Sequence, residues 1–292
     1  MTTTPTTHRP LAHRLPARRA AALAGLAVLS ALGACAGARP DEAPAPRGAL
    51  RVLVYNIHAG KDAAGADNLA RVAQLVRDRR VDVALLQEVD HGTRRSGGVN
   101  QPDELARRTG LNFAFGRTLD YQGGGYGIAV LSRFPVRGHT LVPLPIDPPQ
   151  ERAGGSREPR GALIATLETP SGPLHVLNTH LDASGSDTVR LQEAARVVAL
   201  LDSLRRTGAA TIAGGDFNAL PSSAVIGLLA ESGMRDGWLA CGGAGDGHTF
   251  PAAAPVKRID YLFLAPEAGC LAAEVVGAEV SDHRGVLLTI VP

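Results

Sequence analysis

Short apolar runs rich in Val and Leu recur from residue 50 to residue 290, and polar residues able to bind a metal or a phosphate stand at the ends of several of them. Leu50–Tyr55 (LRVLVY) reads as a buried strand and is followed by Asn56 and His58. Val81–Gln87 (VDVALLQ) is followed by Glu88, the LHVLNT run (174–179) by His180, and the Ala210–Ala213 run by Asp216 and Asn218. Asp260 lies near the start of the Ile259–Leu264 run, and Asp282 and His283 precede Val286–Ile290. Runs of this length, enriched in β-branched residues, are strands buried on both faces. Side chains at strand ends share one rim of a sheet, so the pattern predicts a single cleft into which acids, amides and imidazoles converge.

Helical segments alternate with the early strands. Leu69, Val72, Ala73 and Val76 recur at helical spacing over Asn68–Asp78, with Asp67 placed to cap the helix. Asp103–Thr109 is a short helix closed by Gly110. Thr188–Arg206 is the longest, with a predicted buried stripe of Leu191, Ala195, Val198 and Leu201. Further strands are expected at Ile128–Ser132, Gly161–Thr166 and Leu174–Thr179. The mixture predicts an α/β (α+β) fold: two packed, mostly antiparallel sheets with helices outside.

The N-terminal stretch is set apart from this pattern. Residues 1–19 hold Arg9, Arg14, Arg18 and Arg19 and no acid, and residues 20–34 form an uncharged, largely apolar run. Such a run suits the core of an export signal better than a membrane span, which needs about 20 apolar residues. Its end, Leu32-Gly33-Ala34-Cys35, resembles the lipobox of bacterial lipoproteins, in which the Cys is acylated and becomes the mature N-terminus. Residues 35–48, rich in Pro, Ala and Gly, read as a flexible tether, and residues 49–292 as one domain. The expected location is the cell envelope, with attachment to a membrane through a lipid on Cys35.

Charge narrows the partners. Six of the 30 basic and two of the 28 acidic residues fall in residues 1–48, leaving 24 basic and 26 acidic residues and a net charge of −2 over the domain. A protein that grips duplex nucleic acid normally presents a basic surface, and this domain has none in bulk. Cys241 and Cys270 either pair in an oxidising compartment or stay as buried thiols; the sequence leaves both open.

Hydrolysis of a phosphate ester needs a positioned water, charge neutralisation at the phosphoryl oxygens and help for the leaving oxygen. The strand-end residues contain what such a site requires. Their oxygen-rich character suits Mg2+, with Mn2+ or Ca2+ as substitutes, and no HExxH or CxxC spacing points to zinc.

Seven segments, YNIH (55–58), LQEV (86–89), NTHLD (178–182), GDFNA (215–219), HTF (248–250), RIDYLF (258–263) and SDH (281–283), resemble in order the motifs of the endonuclease/exonuclease/phosphatase superfamily. Its members include abasic-site endonucleases, secreted DNases, inositol-phosphate phosphatases and neutral sphingomyelinases. GYGIAVLSRFP (125–135) is similar to the broad bacterial branch of metal-dependent hydrolases. The resemblance implies a four-layer α/β sandwich. It also implies that Glu88 is the principal metal-binding carboxylate, that Asn56 supports the metal or its waters, and that Asp282 is a second acid near the metal. By the same resemblance Asp216 orients or deprotonates the attacking water and Asn218 contacts the phosphate. Asp260 orients a cationic His283 against the phosphate, and His180 contacts the phosphate or stabilises the transition state. His58, Tyr126, Arg160 and His248 are further candidates for the substrate cleft.

These readings lead to a metal-dependent phosphodiesterase or phosphomonoesterase, nuclease-like in its parts and acting outside the cytoplasm. Its substrate would be a phospholipid headgroup, a phosphorylated glycan or extracellular nucleic acid. The expected protein is a monomer, with no protein partner. The chain has one Trp and no basic, aromatic-rich insertion for distorting a duplex. The alternative is a non-catalytic lipoprotein that binds a phosphorylated ligand through a retired site. Such a protein would have lost a metal-binding or water-orienting residue, and none is missing here.

Overall fold

Twelve strands and five α-helices make four layers in the computed structural model, which describes residues 46, 48–147, 149, 150 and 155–292. The proposed export signal, Cys35 and most of the tether lie outside the described residues. The strands are β1 (Leu50–Asn56), β2 (Val83–His91), β3 (Asn112–Tyr121), β4 (Gly124–Ser132), β5 (Val136–Pro143), β6 (Gly161–Thr169), β7 (Gly172–His180), β8 (Ala210–Asp216), β9 (Arg235–Asp236), β10 (Asp260–Leu264), β11 (Gly269–Val276) and β12 (Gly285–Val291). The helices are α1 (Leu69–Asp78), α2 (Gln101–Thr109), α3 (Thr188–Arg205), α4 (Ala224–Glu231) and the single turn α5 (Gly237–Ala240).

The strands form two sheets of six, in the orders β11-β12-β1-β2-β4-β3 and β5-β6-β7-β8-β10-β9. Only β1 with β2, and β7 with β8, pair in parallel; the other neighbours run antiparallel. The period of two along each central strand explains how the layers stack. Val52 and Val54 of β1, Val83 and Leu85 of β2, Val176 of β7 and Ile212 of β8 meet in the core between the sheets. Their neighbours Leu53, Tyr55, Ala84 and Leu86 face the other way, onto Val72, Ala73 and Val76 of α1 and Leu105 of α2. Leu177, Ala213, Tyr261 and Phe263 likewise meet α3 and α4 on the far side.

Several local expectations are corrected. Asn68, not Asp67, stands at the N-cap of α1, and its amide donates to the carbonyls of Ile57, Lys61 and Val280. Asp67 accepts instead from Lys61 at 2.6 Å. The stripe that α3 buries is Arg190, Glu193, Ala194, Val197 and Leu201, whereas Ala195 is exposed. The helix turns differently because it buries two charged residues that the apolar pattern ignores. Arg190 donates to Asp187 and to the carbonyls of Asp182 and Ser184, and Glu193 accepts from the Asp182 amide. Cys241 and Cys270 are joined in a disulfide between α5 and β11.

The buried acid of α3 carries a pH signature. Burial raises the Glu193 carboxyl to about 7, against the opposing help of the Asp182 amide and Arg160. A pKa raised on folding stabilises the protein below the unfolded value of 4.5 and loses that contribution as pH rises through 7. At about 1.4 kcal/mol per unit, the loss approaches about 3 kcal/mol. Urea denaturation from pH 4.5 to 8 is therefore expected to show Glu193→Gln losing less stability with rising pH than the wild type. Parallel curves for the two proteins would remove the role given to Glu193.

Candidate active site

Even-numbered residues of β1, β7, β8 and β10 face the space between the sheets. The period therefore carries Asn56, His180, Asp216 and Asp260 to its open rim. Beneath them, Asn178 ties the sheets together: its amide donates to the carbonyls of Leu86 and Ala129 and accepts from Gln87 at 2.7 Å. Two glycines let β8 sit this close to its neighbours. A Cβ on Gly214 would stand 2.8 Å from the Val54 side chain, and one on Gly215 only 1.9 Å from the Thr179 carbonyl oxygen. Gly215 also has φ +150, which side-chain-bearing residues rarely adopt.

Glu88 reaches the rim by another route. Strict alternation after Leu85 would face it away from the cleft, toward the helices. The register of β2 against β4 instead shifts between Leu86 and Val89, and Glu88 takes a left-handed φ of +55. Such a bulge re-aims a side chain at a local cost of order 1–3 kcal/mol, which favours functional positions. Asn218 is also left-handed, with φ +48, a conformation that Asn tolerates.

The result is one connected cluster. Asn56 Nδ2 donates to Glu88 Oε1 at 3.1 Å and to Asp216 Oδ2 at 3.2 Å, while Asn56 Oδ1 accepts from the His58 amide. His283 Nδ1 bonds Asp260 Oδ2 at 2.9 Å, and its Nε2 lies 3.6 Å from Asp216 Oδ2. His180 Nε2 approaches the same carboxylate oxygen at 3.6 Å. The Asn218 amide nitrogen lies 3.2 Å from that Nε2 and donates to the Leu181 carbonyl, and its backbone N–H donates to Asp216 Oδ1.

Burial and charge divide the two imidazoles. Burial alone would lower the His283 pKa, but the carboxylates of Asp260 and Asp216 outweigh it and hold the ring cationic. For His180, burial and the neighbouring Arg160 and His283 cations push the pKa well down, so this ring is neutral. Arg160 Nη1 sits 2.7 Å from His180 Nδ1 and can only donate. The shorter Arg160 contact assigns the ring proton of His180 to Nε2, facing Asp216, so the Asn218 nitrogen, itself a donor, shares no hydrogen bond with that Nε2. Burial and the Asp260 charge raise the Asp216 pKa above the usual carboxylate range, against the pull of His283.

The supporting candidates fall into three positions. Arg160 is buried, paired with Glu158 at 2.8 Å, and backs His180 from behind. Tyr126 is buried near Glu88, whose charge together with burial raises its pKa, and stacks on Arg95 at 5.0 Å. His58 lies in a turn with φ +51, so strand alternation does not govern it, yet its Nδ1 comes within 3.8 Å of Asp282 Oδ1. His248 is not brought to the cluster: it lines a separate cavity of about 450 Å3 with Trp238, Asp246 and Arg284. From the HTF segment it is Phe250 that arrives, its ring centroid 4.8 Å from that of His283. The sequence reading also passed over Arg95, which is clamped to Asp90 by two 2.8 Å bonds.

Asp216, Asp260 and His283 place ligand-type atoms within 4.8 Å of one another. His283 bonds Asp260 at 2.9 Å and lies 3.6 Å from Asp216, so the three are arranged as an ion-paired group. The carboxylates of Glu88 and Asp282 are the hard oxygen donors that suit a Mg2+-type ion, and Asn56, whose Nδ2 donates to Glu88, positions that carboxylate. The residues present fit such an ion on the Glu88 side of the cluster.

Comparisons with known proteins agree with this geometry. The Endonuclease/Exonuclease/phosphatase family model matches residues 53–283. The uncharacterized protein YbhP of Escherichia coli is 28% identical over 225 residues, covering 74% of this chain and 84% of YbhP. An endonuclease/exonuclease/phosphatase from Beutenbergia cavernae has a similar structure, with TM-score 0.66 and 25% identity over 84% of this chain and 72% of that one. The mannosyl-6-phosphatase Bt3783 of Bacteroides thetaiotaomicron shares the fold, with TM-score 0.69 and 19% identity, covering 83% of this chain and 100% of that one.

Proposed function

The chain belongs to the endonuclease/exonuclease/phosphatase family, and from that premise we propose that it hydrolyses phosphate esters by water attack with Mg2+ as cofactor. The hydrogen-bonded run Glu88–Asn56–Asp216, with His283 and Asp260 against the same carboxylate, supports this reading most. Glu88 would hold the ion, with Asn56 and Asp282 beside it. The ion would supply charge neutralisation at the phosphoryl oxygens.

Asp216 orients the attacking water and takes its proton, a task suited to a carboxylate whose pKa is raised toward neutrality. His283, fixed and kept cationic by Asp260, presents Nε2–H to a phosphoryl oxygen. His180 presents a second, neutral N–H, and Asn218 an amide, on the same side. These donors are positioned before substrate arrives, which is where electrostatic catalysis gains most. A retired binding site would show a replacement in this set, and there is none.

The test is hydrolysis of bis-p-nitrophenyl phosphate with Mg2+, alongside plasmid DNA, sphingomyelin, inositol phosphates and mannose 6-phosphate. Turnover that stops with EDTA and returns with Mg2+ is expected. No turnover of any ester with Mg2+, Mn2+ or Ca2+ would overturn the proposal.

We further propose that the protein acts outside the cytoplasm, exported by residues 1–34 and anchored through an acylated Cys35. No helix among the described residues is long and apolar enough to cross a membrane. Cys35→Ala is expected to move the protein from the membrane to the soluble fraction; unchanged membrane association would refute the anchor.

A further inference from the structure

A cleft of about 530 Å3 opens beside the catalytic cluster, lined among others by His283, Asn218, Phe250, Lys257 and Ile259. Its charges do not contribute equally. Asp187 and Arg190 also line it, but they bind each other at 2.6 and 2.9 Å, and Ser223 donates to the same carboxylate. That pair cancels. Lys257 is exposed, and its ammonium has no ion pair among the described residues; its one described contact is with the Phe250 ring, 6.0 Å from Nζ to the centroid.

Three groups therefore stand in series along one wall. The His283 imidazole, assigned to the scissile phosphate, lies against the Phe250 ring, and the Lys257 ammonium lies against Phe250 in turn. The backbone beneath these side chains sets their order. Phe250 and Lys257 are an antiparallel bridge pair, each backbone N–H donating to the other's carbonyl at 3.0 Å. What sets Lys257 apart from a solvated surface lysine is its place in the wall of the cleft that holds His283. An ammonium on an aromatic face stays charged while partly desolvated, and an uncompensated cation in a cleft concentrates anions.

We propose that the cleft takes substrates carrying a second anionic group one sugar or polyol unit away from the scissile phosphate. Lys257 is the specificity-determining residue that binds that group, and Phe250 covers the spacer. The inference rests on the phosphoesterase reading and names the substrate class of the same site.

Two chromogenic esters test it with the full-length protein: thymidine 5′-(4-nitrophenyl phosphate) and its 3′-phosphorylated counterpart, in which deoxyribose separates the two anions. The wild type is expected to prefer the 3′-phosphorylated ester by about tenfold in kcat/KM at low salt, mainly through KM, and less as salt screens the contact. Lys257→Ala should bring that ratio close to one, Lys257→Arg should keep it, and Lys257→Glu should invert it. A wild-type ratio near one, or the same ratio in Lys257→Ala, would overturn the proposal. So would turnover of bis-p-nitrophenyl phosphate with neither thymidine ester cleaved. Failure on all three esters would instead bring down the phosphoesterase reading on which it rests.

Discussion

Asp216→Asn is expected to lower kcat by about 10³-fold or more while leaving the protein folded, the scale for losing a general base together with its fixed charge. No other carboxylate here is shared so widely. One oxygen, Oδ2, accepts from Asn56 and lies 3.6 Å from both His180 Nε2 and His283 Nε2; the other accepts from the Asn218 amide. Asn keeps the shape and can accept on one side through its carbonyl oxygen, while its NH2 meets a donor on the other, so the variant folds with some loss of stability. What it removes is the proton acceptor and half of the carboxylate pair that keeps His283 cationic. A second signature follows: the His283 pKa, followed by imidazole proton chemical shifts, should fall in the variant. A variant with near wild-type kcat, or with an unmoved His283 titration, would show that Asp216 is not the centre of the site.

The second large effect is expected at Glu88. Mg2+ is commonly held by only one or two carboxylates, so losing the principal one weakens it severely. Glu88→Gln should raise the Mg2+ concentration for half-maximal rate by at least about 100-fold, beyond the effect of losing an outer-shell partner. The same substitution makes a prediction of opposite sign for stability. Without a cation, Glu88 adds a negative charge to a cluster that already holds Asp216, Asp260 and Asp282, and its backbone sits at φ +55. In EDTA, Glu88→Gln should therefore melt at the same temperature as the wild type or higher, and Mg2+ should stabilise only the wild type. A variant that melts lower in EDTA and binds Mg2+ normally would assign Glu88 to the fold.

The central strands were legible in the sequence because both of their faces are buried, which turns alternation into continuous apolar runs such as LRVLVY. The strands without a predicted run, β3, β5, β9 and β11, are the four sheet edges, and β5 exposes most of its residues. Their residues follow pairing with a neighbour and carry little apolar signal of their own. In the site, strand ends and motif order brought out Asn56, His180, Asp216, Asp260 and His283, which the structure gathers at one rim. Glu88 follows the second apolar run and stands in a motif, but it lies within β2, and the backbone bulge that turns it inward leaves no pattern in LQEV. The HTF segment pointed to His248, yet Phe250 is the residue that touches His283. A three-residue motif marks a place in the chain, and which side chain faces the cleft depends on the bridge between Phe250 and Lys257. Arg95 and Glu158 lie outside the motifs and act through buried partners, Asp90 and Arg160, so from the sequence their charges read as ordinary surface.

Anomalous diffraction from crystals soaked in Mn2+ tests the central claim most directly. One strong peak is expected against the Glu88 carboxylate, on the Asn56 and Asp282 side of Asp216. A peak seated instead between Asp216, Asp260 and His283, or no peak in crystals whose protein still hydrolyses esters in EDTA, would contradict it.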